Sequence, residues 1–140
     1  MQVTIMGLGY IGLPTAALIA SKGIDVNGVD VNKHVVDTIN KGKIHIVEPD
    51  LDGLVHFAVL KKYLTASTSV KPSDVFLVAV PTPFRKDHKP DLSFVEKATK
   101  MVIPHLKPGN LFIIESTSPV GTTEKMAKLI FKERPELKDK

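Results

Sequence analysis

The sequence predicts an α/β domain with a doubly wound, mostly parallel sheet and helices on both of its faces. Three observations support this prediction. Short β-branched runs alternate with longer segments of helical period, two of the runs are apolar throughout, and a glycine-rich turn joins the first run to the first helix. With 140 residues, of which 43% are apolar and 24% charged, the chain is long enough for one folded domain.

The first three elements are bounded by glycines. Residues 3–6 form a β-branched run that ends at Gly7, and residues 13–22 carry apolar side chains at helical spacing up to the break at Gly23. Residues 25–29 repeat the strand pattern. The chain therefore begins with a strand, a helix and a second strand, which is the start of a parallel sheet.

Two helices and a short strand follow. Residues 33–41 and residues 51–62 each gather their apolar side chains on one helical face, and Gly42 ends the first of these helices. Residues 64–67 fit a short strand. The alternation of strands and helices thus continues to the middle of the chain.

The second half alternates in the same way. Residues 75–80 are wholly apolar, which suits a strand covered on both faces, and residues 111–114 predict a second strand of this buried type. Helices are predicted over residues 94–106 and 122–131, and residues 135–140 form a polar tail. A full doubly wound dinucleotide-binding sheet has about six strands. The sequence predicts fewer, so the chain is either a minimal domain or a piece of a longer protein.

Composition excludes several kinds of site. The chain has no cysteine. A disulfide framework, a thiolate zinc site, an iron–sulfur cluster and a cysteine nucleophile are therefore absent from it. The 5 histidines do not fall into a metal-ligand spacing, and no metal site is predicted.

Charge and hydropathy bear on partners and compartment. The formal net charge is +4, but the basic side chains are scattered among acidic ones, and we interpret them as a solvated surface and not as a nucleic-acid interface. No apolar run approaches the roughly 18–20 residues of a membrane span, and no secretory signal precedes the first strand. We therefore expect a cytoplasmic protein that binds neither nucleic acid nor a membrane.

The turn after the first strand carries the pattern G-x-G-x-x-G at Gly7, Gly9 and Gly12. The strand before it and the helix after it are the context that a dinucleotide-binding loop requires. Gly7 would permit the tight turn, Gly9 would let a pyrophosphate approach the backbone, and Gly12 would let the helix pack close to the strand. The helix N-terminus would then bind the phosphates, and the predicted fold is of the Rossmann type. The alternative is a plain strand-to-helix turn.

An acidic residue stands where such a loop needs one. Asp30 lies 18 residues after Gly12, at the end of the second predicted strand. A carboxylate there can accept hydrogen bonds from the ribose hydroxyls of adenosine and would repel a 2′-phosphate, so the predicted cofactor is NAD and not NADP. The alternative is that Asp30 is a turn residue or caps the helix that begins at Lys33.

The last two predicted strands end in segments rich in proline and small hydroxyl residues. Ligands of open α/β sheets bind beyond the carboxyl ends of the strands, so Thr82 and Thr117 are expected beside the nicotinamide half of a dinucleotide. The alternative is capping chemistry, in which Ser118 caps the last helix and Pro119 takes its first position. Glu115, at the end of the last strand, is either a general base or, as we favour, a structural or cofactor contact.

Several motifs follow one another along most of the chain: Gly7 to Pro14, Asp30, Glu48 to Leu51, Val80 to Pro83, and Glu115 to Gly121. In this order they resemble the UDP-glucose/GDP-mannose dehydrogenase family. Further stretches are similar to the branch of the family that oxidises UDP-N-acetyl-D-mannosamine. They are Asp37 to Asn40, Ile44 to Leu51, Ala79 to Phe84 with Asp87-His88, and Glu115 to Gly121.

The resemblance implies oxidation of the C6 alcohol of a nucleotide sugar to a carboxylate with two NAD and one water, through an aldehyde and a thiohemiacetal on a cysteine. In the branch named above, the product is a precursor of surface polysaccharide; UDP-glucose and GDP-mannose are the alternative substrates. The resemblance also implies that Tyr10 and Ile11 contact the pyrophosphate and that Asp30 binds the ribose. Thr82 would contact the cofactor, and Thr117 would help to place the catalytic water near the nicotinamide.

This chain departs from the family in one respect. The family's cysteine nucleophile, its partner lysine and its substrate-binding domain lie in a later part of the chain, and this sequence has no cysteine. The resemblance therefore implies that residues 1–140 are the NAD-binding domain, a fragment that is inactive alone and holds no catalytic nucleophile. The nucleotide sugar would bind through the missing domain, and the intact enzyme would be a homo-oligomer. A stand-alone NAD-sensing regulatory domain is the alternative from another class, although a sensor would not need hydroxyls at Thr82 and Thr117.

Overall fold

The computed structural model describes residues 1–86 and 88–138, so Asp87, Asp139 and Lys140 lie outside the described residues. The elements in chain order are β1 (Gln2–Met6), α1 (Gly12–Ser21), β2 (Asp25–Val29), α2 (Lys33–Asn40), α3 (Leu51–Leu60), β3 (Leu64–Ser67), β4 (Val75–Val78), α4 (Ser93–Val102), β5 (Leu111–Ile114) and α5 (Thr122–Glu133). Short 3-10 helices follow α4 and α5. Among the described residues, no helix is long and apolar enough to cross a membrane.

The strands form one parallel sheet in the order β3-β2-β1-β4-β5. This is the order of the first five strands of a doubly wound dinucleotide-binding fold, and the predicted fold class is confirmed. The order reverses between β1 and β4. Ligands of such sheets bind at this reversal, beyond the carboxyl ends of the strands.

Alternate side chains of the strands enter two separate cores. Val3 and Ile5 of β1 pack in a core with apolar side chains of α1, α2 and α3. Met6 of β1 packs with Phe76 and Val78 of β4 in a second core, which α4 and α5 close. Helices therefore cover both faces of the sheet, as the sequence predicts.

The connection from β3 to β4 explains two buried polar side chains in the strands. Residues 68–74 form no helix and run across the face of the sheet that carries the second core. The hydroxyl of Thr4 lies 2.7 Å from that of Ser73, and the side-chain amide of Asn27 donates to the Ser69 carbonyl at 3.4 Å. Thr4 and Asn27 are both fully buried, and the crossing segment provides the hydrogen-bond partners that their buried polar atoms need.

Replacing Thr4 by valine is expected to lower the unfolding free energy by about 1–2 kcal/mol, because the buried hydroxyl's bonds to the Ser73 hydroxyl and the Lys71 carbonyl are both lost. The measurement is urea unfolding followed by circular dichroism. Thr65→Val is the matched control, since Thr65 is an exposed threonine of β3. Equal stability of the two variants would contradict this role of Thr4.

Four details differ from the sequence-based expectations. The helix predicted over residues 94–106 ends as α4 at Val102 and continues only as a 3-10 helix over Ile103–His105, because Pro104 cannot donate the next helical hydrogen bond. β4 ends at Val78 and not at residue 80. Beyond Val78 the regular pairing with β5 stops, because the Val78 carbonyl accepts hydrogen bonds from the backbone N–H groups of both Glu115 and Ser116, at 2.8 and 3.2 Å. β5 is an edge strand of the described chain and not a buried one, with Leu111 54% exposed. The tail predicted as polar over residues 135–140 contributes one apolar side chain to the fold, since Leu137 is buried in the second core.

Candidate functional site

The glycine turn begins where β1 ends, next to β4. Gly7 has a φ of +92°, which residues with a side chain rarely adopt, and its N–H donates to the Val29 carbonyl at 2.7 Å. A Cβ atom on Gly7 would lie 2.6 Å from the Ala79 carbonyl oxygen. The turn therefore requires glycine for both its conformation and its closeness to β4.

The other two glycines of the turn have opposite surroundings. A Cβ atom on Gly12 would overlap the carbonyl oxygen of Gly7 and lie 2.9 Å from its carbonyl carbon. No described atom lies within 4 Å of the place that a Cβ on Gly9 would take. Gly12 is thus needed by the fold, whereas Gly9 leaves open space above the turn.

Helix α1 begins in this turn without a capping side chain. Its N-cap residue is Ile11, and within the described residues no side chain caps the helix there. The first turn of the helix also contains no acidic residue. Tyr10 and Ile11 are exposed beside it. The N–H of Leu13 already donates to the Gly9 carbonyl at 3.1 Å, and Pro14 has no N–H. The Gly12 N–H and the positive end of the helix dipole are therefore what the start of α1 offers to an anion.

Asp30 is held against the glycine turn. Its Oδ2 accepts the backbone N–H of Leu8 at 3.0 Å, and its Oδ1 accepts that of Asn32 at 2.9 Å. Each carboxylate oxygen keeps a further lone pair for a ligand. The helix-capping alternative for Asp30 is wrong, because Asn32 is the N-cap of α2 and its side chain accepts the N–H of His34.

A cavity of about 390 Å³ opens beside Asp30, between the carboxyl ends of β1, β2 and β4 and helix α4. Its walls include Gly7, Val31, Phe94 and Met101. A mostly apolar cavity whose charged lining residues are Asp30 and Lys97 suits a flat aromatic group attached to a hydroxyl-bearing sugar. The sequence analysis did not predict that α4 forms a wall of the cavity. The signal it missed is Phe94, an aromatic residue at the start of α4 that lies outside the helix's buried face of Val95, Ala98 and Val102.

The segments after β4 and β5 come together. The Thr82 hydroxyl donates to the Thr117 carbonyl at 2.6 Å, and the Ser116 hydroxyl donates to the Val80 carbonyl at 2.7 Å. Thr117 itself is exposed. The Ser118 capping alternative is wrong, because α5 begins at Thr122, after Gly121 in a left-handed conformation.

Glu115 contacts helix α1 across the end of the sheet. The hydroxyl of Thr15 donates to its Oε1 at 3.1 Å. The two residues are separated by 100 positions in the sequence. No local pattern could have paired them, and Thr15 was not among the residues predicted for the site.

The loop after β4 is tied back to α4. Phe84 and Pro90 form an isolated β-bridge, and Arg85 pairs with Asp91 at 3.1 Å. The backbone N–H of Ser93 and the Arg85 guanidinium lower the pKa of the Asp91 carboxyl. Asp87, part of the stretch Ala79 to Phe84 with Asp87-His88 that carries the family resemblance, lies outside the described residues. Elsewhere, within residues 1–86 and 88–138, no cluster of three or more His, Asp or Glu side chains could hold a metal.

Comparisons with known proteins agree with this geometry. The family model described as "UDP-glucose/GDP-mannose dehydrogenase family, NAD binding domain" matches residues 1–140. The UDP-N-acetyl-D-mannosamine dehydrogenase of Campylobacter jejuni is 58% identical over 137 residues, which are 97% of this chain and 34% of that protein. The NDP-N-acetyl-D-galactosaminuronic acid dehydrogenase of Ralstonia nicotianae is 55% identical over 135 residues, 96% of this chain and 32% of that protein.

A solved structure shows the same arrangement. The UDP-N-acetyl-mannosamine dehydrogenase of Staphylococcus aureus superimposes with a TM-score of 0.92 at 39% identity, over 96% of this chain and 33% of that chain. The present chain thus spans about a third of the length of the curated relatives it matches.

Proposed function

The chain belongs to the UDP-glucose/GDP-mannose dehydrogenase family, as an NAD-binding domain, and from this premise we propose that it serves an enzyme that oxidises the C6 alcohol of UDP-N-acetyl-D-mannosamine to the carboxylate. The observation that carries the proposal is the similarity to the Campylobacter jejuni dehydrogenase over nearly the whole chain. The Ralstonia relative, which is almost as similar, is named for another N-acetylated sugar. An N-acetylhexosamine nucleotide is therefore favoured over UDP-glucose and GDP-mannose.

We assign the binding of the dinucleotide to the glycine turn and the strand ends around it. Pyrophosphate oxygens accept a hydrogen bond from the Gly12 N–H at the positive end of the α1 dipole, above the open face of Gly9 and beside the exposed Tyr10 and Ile11. Asp30 accepts the hydroxyls of the adenosine ribose, and the adenine occupies the adjoining cavity. The turn is rigid because Gly7 and Gly12 allow its backbone to pack closely.

The other half of the cofactor lies over the ends of β4 and β5. The bond from the Thr82 hydroxyl to the Thr117 carbonyl fixes the two segments to each other. The exposed Thr117 hydroxyl is then free to orient a water near the nicotinamide. Bound NAD supplies the acceptor for the hydride that leaves the alcohol carbon. This chain contributes the binding and orientation of the cofactor.

Other parts of the enzyme must supply the nucleophile, because the sequence has no cysteine. We therefore assign residues 1–140 the role of one domain of a longer protein, whose substrate domain binds the nucleotide sugar. The protein acts in the cytoplasm as a homo-oligomer and provides a precursor of surface polysaccharide. The pair of Thr82 and Thr117 favours this role over that of an NAD-sensing regulatory domain, which has no need of a positioned water.

The test is to express the complete reading frame that encodes this chain and to follow NADH formation at neutral pH with three sugar nucleotides. We expect two NADH per UDP-N-acetyl-D-mannosamine and a kcat/KM about a hundredfold lower for UDP-glucose and GDP-mannose, because a site built around an acetamido group leaves polar groups unpaired with a sugar that lacks it. Equal turnover of UDP-glucose would overturn the choice of sugar. NAD binding without turnover of any sugar nucleotide would support the sensor instead.

A further inference from the structure

Two carboxylates form hydrogen bonds with the start of the phosphate-binding region from opposite sides, one with the glycine turn and one with helix α1. On the β2 side, Asp30 accepts the backbone N–H of Leu8 within the turn. On the β5 side, Glu115 accepts the hydroxyl of Thr15 in α1. Since β1 lies between β2 and β4 in the sheet, a dinucleotide whose pyrophosphate rests on the start of α1 has one carboxylate near each of its ends.

Asp30 has its role in the proposed function, but Glu115 does not. Its backbone is fixed, because its N–H donates to the Val78 carbonyl at 2.8 Å at the end of β4. Its side chain is exposed on the same edge as Thr82 and Thr117, and its only described hydrogen bond through the carboxylate comes from Thr15. The Thr15 hydroxyl, 3.1 Å from Oε1, holds the carboxylate in place. Because a hydroxyl is neutral, it does not cancel the negative charge of the carboxylate.

We propose that Glu115 makes this site bind oxidised NAD in preference to NADH. The inference rests on the proposed function, because it requires the nicotinamide to lie over the ends of β4 and β5. The nicotinamide ring of the oxidised form carries a positive charge, and the ring of NADH is neutral. A carboxylate beside the ring therefore attracts one form and is nearly indifferent to the other. Such a preference suits an enzyme that must use an oxidised cofactor in each of two successive steps.

The size of the effect follows from Coulomb's law. Unit charges about 6 Å apart, at an effective dielectric constant of roughly 40, interact strongly enough to change an equilibrium about tenfold. Removal of the charge should therefore weaken binding of oxidised NAD about tenfold relative to NADH. A side chain that only braced β5 against α1 would change both affinities by the same factor.

The experiment is calorimetric titration of the product of the complete reading frame with oxidised NAD and, separately, with NADH. Three proteins are compared, namely the wild type, Glu115→Gln and Glu133→Gln. Glu133, an exposed acid at the far end of α5, controls for the loss of one negative charge. We expect the ratio of the two dissociation constants to shift about tenfold in Glu115→Gln and to stay unchanged in Glu133→Gln.

A second variant keeps the test decisive if Glu115→Gln folds poorly. Thr15→Val removes the tether of the carboxylate but keeps its charge, so the ratio should shift in the same direction by about two- to threefold. An unchanged ratio in both variants, or an equal change in both affinities, overturns the inference and leaves the proposed function standing. Failure of the folded wild type to bind either form overturns both.

Discussion

Replacement of Gly12 by alanine is expected to lower the unfolding free energy by about 3 kcal/mol or more, at the upper end of what overpacking costs. The new methyl group would overlap the carbonyl oxygen of Gly7 and lie 3.3 Å from the Cβ of Ala79. The first obstacle is backbone and cannot rotate away. Relief would require α1 to move off the sheet, although Leu13, Ala16 and the rest of its inner face are fully buried. Thermal and urea unfolding by circular dichroism measure the loss.

Gly9→Ala is the matched control because it adds the same methyl group three residues away. No described atom lies within 4 Å of the new position, so the unfolding free energy should change by less than about 0.5 kcal/mol. NAD affinity should nevertheless fall at least about tenfold, since the methyl group occupies the space proposed for the pyrophosphate. A stable Gly12→Ala protein, or a Gly9→Ala protein with full affinity for NAD, would show that the roles of the glycines are assigned wrongly.

The glycine turn was predictable because its requirements are local. A positive φ at Gly7 and the close start of α1 at Gly12 each leave a mark in the sequence, as do the breaks at Gly23 and Gly42. Element bounds followed from the same signals, and most strands and helices lie within one or two residues of their predicted ends. The polar strand residue Thr4 shows the limit. Its partner Ser73 is 69 positions away, in a crossing segment without regular structure.

For the candidate site, the sequence pattern could name residues that stand in a local motif, but it could not reveal contacts between distant segments. The wall of the cavity formed by Phe94 and Met101 depends on how α4 packs, and the Thr15–Glu115 contact depends on the order of the strands. The edge position of β5 was missed for a related reason. An apolar strand looks the same in sequence whether or not a neighbour covers it, and only the pairing shows that Leu111 is exposed.

Replacing Asp30 by alanine is expected to weaken NAD binding about a hundredfold. Hydrogen bonds from two ribose hydroxyls to a charged acceptor are worth about 1.5–3 kcal/mol each, and part of this is regained by water in the variant. The carboxylate also holds the N–H groups of Leu8 and Asn32, so stability should fall by about 1–2 kcal/mol. Titration with NAD and with NADP measures the first effect, and urea unfolding measures the second.

Three comparisons separate the charge of Asp30 from its structural role. Asp25→Ala removes an exposed acid at the start of β2, at the opposite end of the strand, and should leave NAD affinity unchanged. Asp30→Asn keeps one oxygen acceptor and loses the charge, so its affinity for NAD should lie between those of the wild type and Asp30→Ala. The wild type should bind NADP far more weakly than NAD. In both Asp30 variants the ratio of the two affinities should fall, because the carboxylate no longer repels the 2′-phosphate. If both variants kept the wild-type preference, the carboxylate would be a support for the turn alone, and selection between the cofactors would have to come from the cavity between Val31 and Phe94.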